Sequence, residues 1–202
     1  MKRIFLLSAA VLSVMNIVRA GQPYKPGDFA DDFSLKNVSG SEISLADISN
    51  ARGFIVVFTC NTCPVARAYQ GRIMELDRKY RPKGYPVVAI NSNDSNVSPG
   101  DSYEEMQKLA KEKGFTFPYL YDESQTTARK YGATNTPHVY VLTKREGRLE
   151  VEYVGAIDNN TDDPSHADKK YVEDAVNALL KGDKVPVVQT KAIGCSIKWK
   201  KT

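Results

Sequence analysis

The segment FIVVFTCNTCPVA, residues 54–66, combines the pattern of a buried strand with the start of a helix. Its first five residues form an unbroken apolar run, which is typical of a strand buried on both faces of a sheet. From Pro64 onward, apolar residues recur every three or four positions, which predicts an amphipathic helix. The members of this stripe are Val65, Tyr69, Ile73, Leu76 and Tyr80. A Cys-x-x-Cys pair, Cys60 and Cys63, therefore lies where a buried strand passes into a helix.

Strand and helix patterns alternate on the C-terminal side of this segment. YPVVAIN (85–91) and FPYLYD (117–122) predict two more buried strands. Between them, Ser102 and Glu105 have the spacing of a capping box, which predicts the start of a helix. A short helix is predicted for residues 122–131.

The two ends of the folded part add further strands and a helix. Residues 139–142 and 149–154 predict an antiparallel hairpin, and 169–181 a last helix. Near the N-terminus, two short strands in 26–35 and 40–48 predict a β-hairpin. The order implies βαβ units with right-handed crossovers. We therefore expect an α/β fold, a mixed central sheet flanked by helices with an N-terminal β-hairpin extension.

The first twenty residues have the layout of a secretory signal peptide. Lys2 and Arg3 precede an apolar run over 4–18, and Val18-Arg19-Ala20 suits cleavage before Gly21. An interrupted run of this length falls short of the roughly 20 residues that a spanning helix needs. We therefore expect an exported protein, periplasmic or secreted, that is not in the membrane after signal cleavage.

Composition limits the remaining possibilities. The expected divisions are residues 1–20 as signal, 21–182 as one domain and 183–202 as a docked C-terminal tail. The signal contains three basic residues and no acidic one, so its removal lowers the formal net charge from +4 to +1. This balance gives no reason to expect nucleic acid as a partner. Three cysteines are also too few for a scaffold held by disulfides.

The position of the cysteine pair predicts redox chemistry. Free N–H groups and the helix dipole at a helix start favour a thiolate over a thiol. If Cys63 caps the helix, Pro64 falls at the first helical position, where proline is favoured. This makes Cys63 the expected nucleophile and Cys60 the resolving thiol, with the reversed order as the alternative. A static disulfide closing so small a ring would contribute little stability.

Three stretches resemble a known family. They are PGDFADDFSLKNVSGSEISLADI (26–48), FIVVFTCNTCP (54–64) and ATNTPHVYVL (133–142). They are similar to the alkyl hydroperoxide reductase/thiol-specific antioxidant branch of the thioredoxin-like superfamily, in particular its peroxiredoxin-like members with a Cys-x-x-Cys. The resemblance covers nearly all of residues 23–181 and implies a thioredoxin-like fold and a thiol–disulfide oxidoreductase without an organic cofactor. Its implied partners are a disulfide-containing protein or small thiol substrate and an unidentified electron donor.

The resemblance also assigns roles to Thr136 and Pro137. It implies that Pro137 follows a cis peptide bond and lies against the cysteine pair. It further implies that Thr136 offers backbone groups to an extended substrate chain. The tryptophan that usually precedes a thioredoxin pair is replaced by Thr59, so specificity towards ordinary thioredoxin partners is not implied.

The chain lacks the motif that activates peroxide in the peroxiredoxins of this family. Peroxiredoxins carry a Pro-x-x-x-Thr/Ser-x-x-Cys loop that activates the peroxide. Counted back from Cys63, those positions hold Cys60 and Val56, and counted back from Cys60 they hold Val57 and Gly53. Weak peroxide reduction is therefore only an alternative function.

A second alternative is a copper chaperone. Cys60, Cys63 and His138 supply two thiolates and an imidazole, a ligand set that suits Cu(I) or Zn(II). The exported copper chaperones of cytochrome oxidase assembly are thioredoxin-like too, although their cysteines are one residue further apart. A single histidine at the start of a strand is more often a packed residue than a ligand.

Two further features lie outside the main pattern. Cys195, within GCSIKW (194–199), is either a third redox residue or a buried small side chain, and Ile197 and Trp199 beside it are apolar anchors for the tail. The polar run NSNDSN (91–96) lacks the frame of a calcium loop, and we expect it to be solvated. Because it follows a strand at the end where loops of the fold line the site, a partner-facing role is the alternative.

Overall fold

The computed structural model describes residues 22–201, so the expected signal peptide lies outside the described residues. Strands and helices alternate through most of this range. The strands are β1 (Phe29–Ala30), β2 (Ser34–Asn37), β3 (Glu42–Ser44), β4 (Gly53–Phe58), β5 (Val87–Asn91), β6 (Tyr119–Tyr121), β7 (Asn135–Thr136), β8 (His138–Arg145), β9 (Arg148–Gly155) and β10 (Cys195–Ser196). The helices are α1 (Pro64–Tyr80), α2 (Tyr103–Lys113), α3 (Thr126–Tyr131) and α4 (Tyr171–Lys181).

The main sheet has the strand order β1-β9-β8-β4-β5-β6-β2-β3. Strands β4, β5 and β6 are parallel, and each other neighbouring pair is antiparallel. This confirms the mixed sheet and the N-terminal hairpin, β2–β3. A second, short ladder pairs β10 with β7.

Strand β4 lies at the centre of the core, and its side chains from Phe54 to Phe58 are fully buried. Ile55 and Val57 pack on one side against residues of α1 and α4. Phe54, Val56 and Phe58 pack on the other side against residues of α3. Burying a side chain of this size stabilises the fold by about 1.5–3 kcal/mol. The strand and the residues that follow it are therefore fixed from both faces.

Helix α1 forms as the apolar stripe predicts, and α2 begins after Ser102, as the capping box predicts. Helix α4 begins at Tyr171, two residues later than predicted. At α2, the Ser102 hydroxyl accepts from the Glu105 N–H at 3.3 Å, but the Glu105 carboxylate pairs with Lys108, so only half of the capping box forms. Helix α3 begins at Thr126, four residues later than predicted. The reason is that Asp122 lies outside the helix, and its carboxylate accepts the backbone N–H groups of Thr127 and Ala128 in the first turn.

The C-terminal segment packs against the domain. Gly155 and Thr190 are in close contact, and Val154 and Gln189 form an isolated bridge. Further on, Ile197 is only 3% exposed and joins the core beside β4. Within residues 22–201, no helix combines the length and the apolar character needed to cross a membrane.

Candidate active site at the start of helix α1

Cys63 is the N-cap residue of α1. Its backbone is extended (φ −66°, ψ 123°), and its sulfur accepts from the Ala66 N–H at 3.5 Å. Pro64 therefore occupies the first helical position, where its missing N–H removes no intrahelical hydrogen bond. Cys60 lies two residues after β4, and both cysteines are free thiols with 2% and 3% exposure, respectively.

The surroundings of Cys63 favour its thiolate. Burial is the largest influence and opposes ionisation, but the hydrogen bonds to the sulfur outweigh it and lower the pKa of Cys63 below its usual value. These bonds come from the side chain of Cys195, the Ala66 N–H, the Cys195 N–H at 3.4 Å and Thr136. In its protonated form, Cys63 donates instead to the Thr136 carbonyl at 3.4 Å.

The surroundings of Cys60 favour its thiol. Burial raises the pKa of Cys60 from 9.0 to about 11, and the negative charge of Asp101 adds to the shift. The Thr136 hydroxyl is 3.1 Å from the Cys60 sulfur and lowers the pKa, though not enough to offset burial. The two cysteines of the pair are therefore unequal, with the more acidic thiol at the helix start.

Thr136, the residue before Pro137, lies against the cysteine pair. The peptide bond between these two residues is cis, as predicted. The Thr136 hydroxyl contacts Cys60, its carbonyl contacts Cys63, and its hydroxyl also donates to the Cys195 carbonyl at 3.5 Å. Thr136 is thus in contact with all three cysteines, although only 1% of its surface is exposed.

The C-terminal tail brings Cys195 to the same place. Strand β10 pairs antiparallel with β7, and Cys195 is directly opposite Thr136. The backbone edge that the family resemblance assigns to a substrate chain is therefore paired with the protein's own chain. Cys195 is half-buried, and the hydrogen bond between its side chain and Cys63, followed by its own burial, raises the pKa of its thiol.

A buried carboxylate, Asp101, supports the two residues between the cysteines. It accepts from the Asn61 N–H at 2.6 Å and from the Thr62 hydroxyl at 2.7 Å. Three further donors complete its surroundings, and they are Ser98 Oγ at 2.6 Å, Asn93 Nδ2 at 2.9 Å and Asn91 Nδ2 at 3.2 Å. Burial alone disfavours the carboxylate, but these donors outweigh it and hold the pKa of Asp101 below its usual value.

Asn61 is held from both ends of its side chain. Its amide donates to the Gly100 carbonyl at 2.9 Å, and its amide oxygen accepts from the Tyr119 hydroxyl at 2.8 Å.

The expectation that NSNDSN (91–96) is a solvated loop is wrong, because residues 91–94 are buried. Their side chains and backbone groups are bonded to Asp101, Asp122 and the C-terminal tail.

Sequence reasoning therefore missed Asp101, Asn61 and Tyr119 as parts of the site. Asp101 lies 41 residues beyond Cys60, at the end of a short 3₁₀ turn, Pro99–Asp101, and only the tertiary fold brings it there. The one available signal was the polar run after β5, since loops at the ends of parallel strands meet at one edge of the sheet.

The alternative metal set of Cys60, Cys63 and His138 is not assembled. His138 packs beside Tyr140, with ring centroids 5.0 Å apart, and its Nδ1 accepts from the Thr134 N–H at 3.4 Å. Burial lowers the pKa of His138 to about 4, which keeps the ring neutral at pH 7. Within residues 22–201, no group of three or more His, Cys, Asp or Glu side chains is positioned to hold a metal ion.

The chain is similar to a known protein family and to several solved structures. A model described as the AhpC/TSA family matches residues 26–151. The solved structure of an uncharacterized conserved protein from Geobacillus kaustophilus is similar, with a TM-score of 0.80 and 39% identity, over 88% of this chain and 93% of that one. A hypothetical protein from Sinorhizobium meliloti 1021 gives a TM-score of 0.79 and 34% identity, over 90% and 98% of the two chains.

A relative with a named activity is more distant. The thiol-disulfide oxidoreductase ResA of Oceanobacillus iheyensis is 24% identical over 76% of this chain and 78% of its own. The solved structure of the exposed lipoprotein thioredoxin Etrx1 of Streptococcus pneumoniae gives a TM-score of 0.53 and 18% identity, over 75% of this chain and 99% of that one. Together with the sheet topology, this likeness confirms the thioredoxin-like fold.

Proposed function

The chain belongs to the AhpC/TSA family, and from this we propose that it is a thiol–disulfide oxidoreductase with Cys63 as nucleophile and Cys60 as a resolving thiol. The observation that carries the proposal is the hydrogen bonding of the Cys63 sulfur at the start of α1. A thiolate is the reactive form of cysteine, and these bonds stabilise it. The named activity of the relative ResA supports the same reaction class.

The reaction begins with attack of the Cys63 thiolate on one sulfur of a substrate disulfide. The Cys63–substrate bond forms, the substrate S–S bond breaks, and the second substrate sulfur leaves as a thiolate. Cys60, after losing its proton, then attacks the Cys63 sulfur and releases the first substrate thiolate. The protein ends with a Cys60–Cys63 disulfide, and two electrons have passed to the substrate.

The neighbours of the pair have supporting roles in this scheme. Asp101 holds Asn61 and Thr62, and thereby fixes the distance and orientation of the two sulfurs. Thr136 contacts both sulfurs of the pair through its hydroxyl and carbonyl groups. It and Pro137 are the proposed substrate-contacting residues, and because both are buried beside β10, a substrate reaches them only when β10 separates from β7. The chemistry needs no organic cofactor, because the sulfurs themselves carry the electrons.

The substrate class and setting follow from the same chemistry. We infer a disulfide-containing protein or small disulfide as substrate and a separate dithiol as electron donor. The basic and apolar N-terminal segment, residues 1–20, supports export to the periplasm or the exterior.

The test uses single-thiol variants and dithiobis(nitrobenzoate), a disulfide that releases one coloured thiolate per attack. The variant Cys60→Ser/Cys195→Ser retains Cys63 alone, and we expect it to release one thiolate rapidly and to carry one label. The matched variant Cys63→Ser/Cys195→Ser retains Cys60 alone and should react much more slowly. Faster labelling of Cys60 than of Cys63 would reverse the assignment, and slow labelling of both would refute the proposed function.

A further inference from the structure

The contact between Cys195 and Cys63 goes beyond what a packed tail requires. The Cys195 N–H donates to the Cys63 sulfur at 3.4 Å, and the half-buried Cys195 side chain packs against the cluster formed by Cys60, Cys63 and Ala66. Disulfide formation needs two cysteines whose side chains already face each other. Cys63 therefore has two thiols beside it, one preceding it on the strand side and one supplied by the tail.

Residues on both sides of Cys195 hold it in place. On the N-terminal side, the Asn135 side-chain amide donates to the Gly194 carbonyl at 2.9 Å. Gly194 has a φ of +155°, and a Cβ there would lie 2.0 Å from the Thr136 carbonyl oxygen, so glycine permits the close approach of β10 to β7. On the C-terminal side, the Ile197 N–H donates to the Thr134 carbonyl at 3.0 Å.

The anchoring continues to the end of the described chain. The Lys198 N–H donates to the Asn93 side chain at 2.8 Å, and the Gln125 amide donates to the Lys198 carbonyl at 2.8 Å. The Arg129 guanidinium lies 4.5 Å from the centre of the Trp199 ring, a favourable cation–π distance. Cys195 is therefore presented to Cys63 at a defined position rather than by a loose tail.

We propose that Cys195 is a second resolving thiol for Cys63, so that the protein also forms a Cys63–Cys195 disulfide. In a mixed disulfide of Cys63 with a substrate, the Cys195 thiolate attacks the Cys63 sulfur. The Cys63–Cys195 bond forms, the Cys63–substrate bond breaks, and the substrate leaves as a thiolate. The step transfers no electrons beyond those of the exchange itself. It rests on the proposed function, since it requires Cys63 to be the nucleophile.

The pKa of Cys195 depends on the state of Cys63, and it changes in the direction that this step requires. Before reaction, the hydrogen bond with Cys63 is the largest influence that raises the pKa of Cys195, and the Cys63 charge adds to it. Both influences disappear when Cys63 enters a mixed disulfide, because a disulfide sulfur carries no charge. Of the charged groups that act on Cys195, Lys198 then remains and favours its thiolate. Cys195 therefore becomes more acidic at the stage when it is needed as a nucleophile.

The test removes Cys60 and asks whether Cys195 replaces it. The Cys60→Ser variant is treated with one equivalent of dithiobis(nitrobenzoate), and intact mass and a non-reducing peptide map identify the product. We expect the label to be expelled and a Cys63–Cys195 disulfide to form. The Cys60→Ser/Cys195→Ser variant should instead keep a stable label on Cys63.

A matched control moves the thiol by one residue. The variant Cys60→Ser/Cys195→Ser/Ser196→Cys carries the same number of thiols, but its tail cysteine lies on the opposite face of β10. Oriented proximity accelerates such exchanges by many powers of ten, so we expect label expulsion at least about 100-fold faster in Cys60→Ser than in this control.

The outcomes separate the two proposals. A stable label on Cys63 in Cys60→Ser, or equally fast expulsion in the control, would overturn the role of Cys195 and leave the proposed function intact. Failure of Cys63 to take up label in every variant would overturn both. Thermal unfolding of each variant shows that the proteins compared are folded.

Discussion

The difference in acidity between Cys63 and Cys60 leads to a quantitative prediction about alkylation. The perturbation is iodoacetamide at pH 7, applied to the variants Cys63→Ser and Cys60→Ser, in which Cys195 stays in place beside the site. Burial raises the pKa of Cys60 from 9.0 to about 11, so its thiolate fraction is about 100-fold lower than that of an ordinary cysteine. A thiolate of higher pKa is more nucleophilic, and this raises the reaction rate of the Cys60 thiolate by a factor of roughly ten. The pKa of Cys63 is lowered instead. We therefore expect Cys63 to react at least about tenfold faster than Cys60.

The assay is the alkylation rate of Cys63 or Cys60, measured from pH 5 to pH 11 by peptide mass mapping, which separates it from the rate of Cys195. The rate for Cys63 should level off at a pH below 9.0, and the rate for Cys60 should still rise above pH 10. A urea-unfolded sample of each variant gives the reference, because both differences should vanish when the site is lost. Equal rates in the folded proteins, or a lower midpoint for Cys60, would refute the assignment of Cys63 as the reactive thiol.

Three further predictions concern the surroundings of the pair. Asp101→Asn should lower the free energy of unfolding by about 1–3 kcal/mol at pH 7, because at least one buried donor loses its acceptor. The folded pKa of Asp101 is depressed, so the wild-type carboxylate loses its own stabilising effect as it is protonated at low pH. The difference between variant and wild type, measured by urea titration, should therefore shrink below pH 3.8. Gly194→Ala should displace Cys195, and the pKa of Cys63, read from ultraviolet thiolate absorbance, should rise, whereas an unchanged pKa would show that the tail does not stabilise the thiolate. Burial lowers the pKa of His138 to about 4, so its ring is neutral between pH 5 and 8. His138→Asn should therefore leave the shape of the pH–rate profile for disulfide exchange unchanged in that range. If the variant lost an inflection there, His138 would be shown to titrate in that range.

The local features of the site were readable from the sequence. A proline immediately after Cys63 is enough to favour that cysteine as the helix cap, because proline is accommodated at the first helical position. The apolar run of β4 and the stripe of α1 likewise report which faces are buried, since their periodicities of two and 3.6 are properties of the backbone. The helix, its start and the strand before it were therefore predicted correctly.

The features that depend on the tertiary fold were not readable. Asp101 reaches the pair only when the loop after β5 folds back over Asn61 and Thr62. No periodicity records such a contact, because a buried carboxylate among amide and hydroxyl donors has no sequence spacing of its own. The exposure expected for residues 91–96 was wrong for the same reason: polar side chains are buried there because each finds a partner within the fold.

The position of the C-terminal tail was predictable in part. Ile197 and Trp199 indicated that the tail docks, and Ile197 is indeed buried. The register of β10 against β7, which brings Cys195 to Cys63, depends on two residues of pairing and on the tight approach at Gly194. A two-residue strand is too short to leave an alternating pattern in the sequence.

A redox titration shows whether Cys63 carries out reversible disulfide exchange. The unmodified protein is equilibrated across a series of glutathione and glutathione disulfide ratios, alkylated, and mapped by mass spectrometry. We predict a reversible two-thiol transition in which every disulfide within the protein contains Cys63, paired with Cys60 or with Cys195. A Cys63 that stays a free thiol across the series, or a transition that pairs Cys60 with Cys195, would contradict reversible exchange at Cys63.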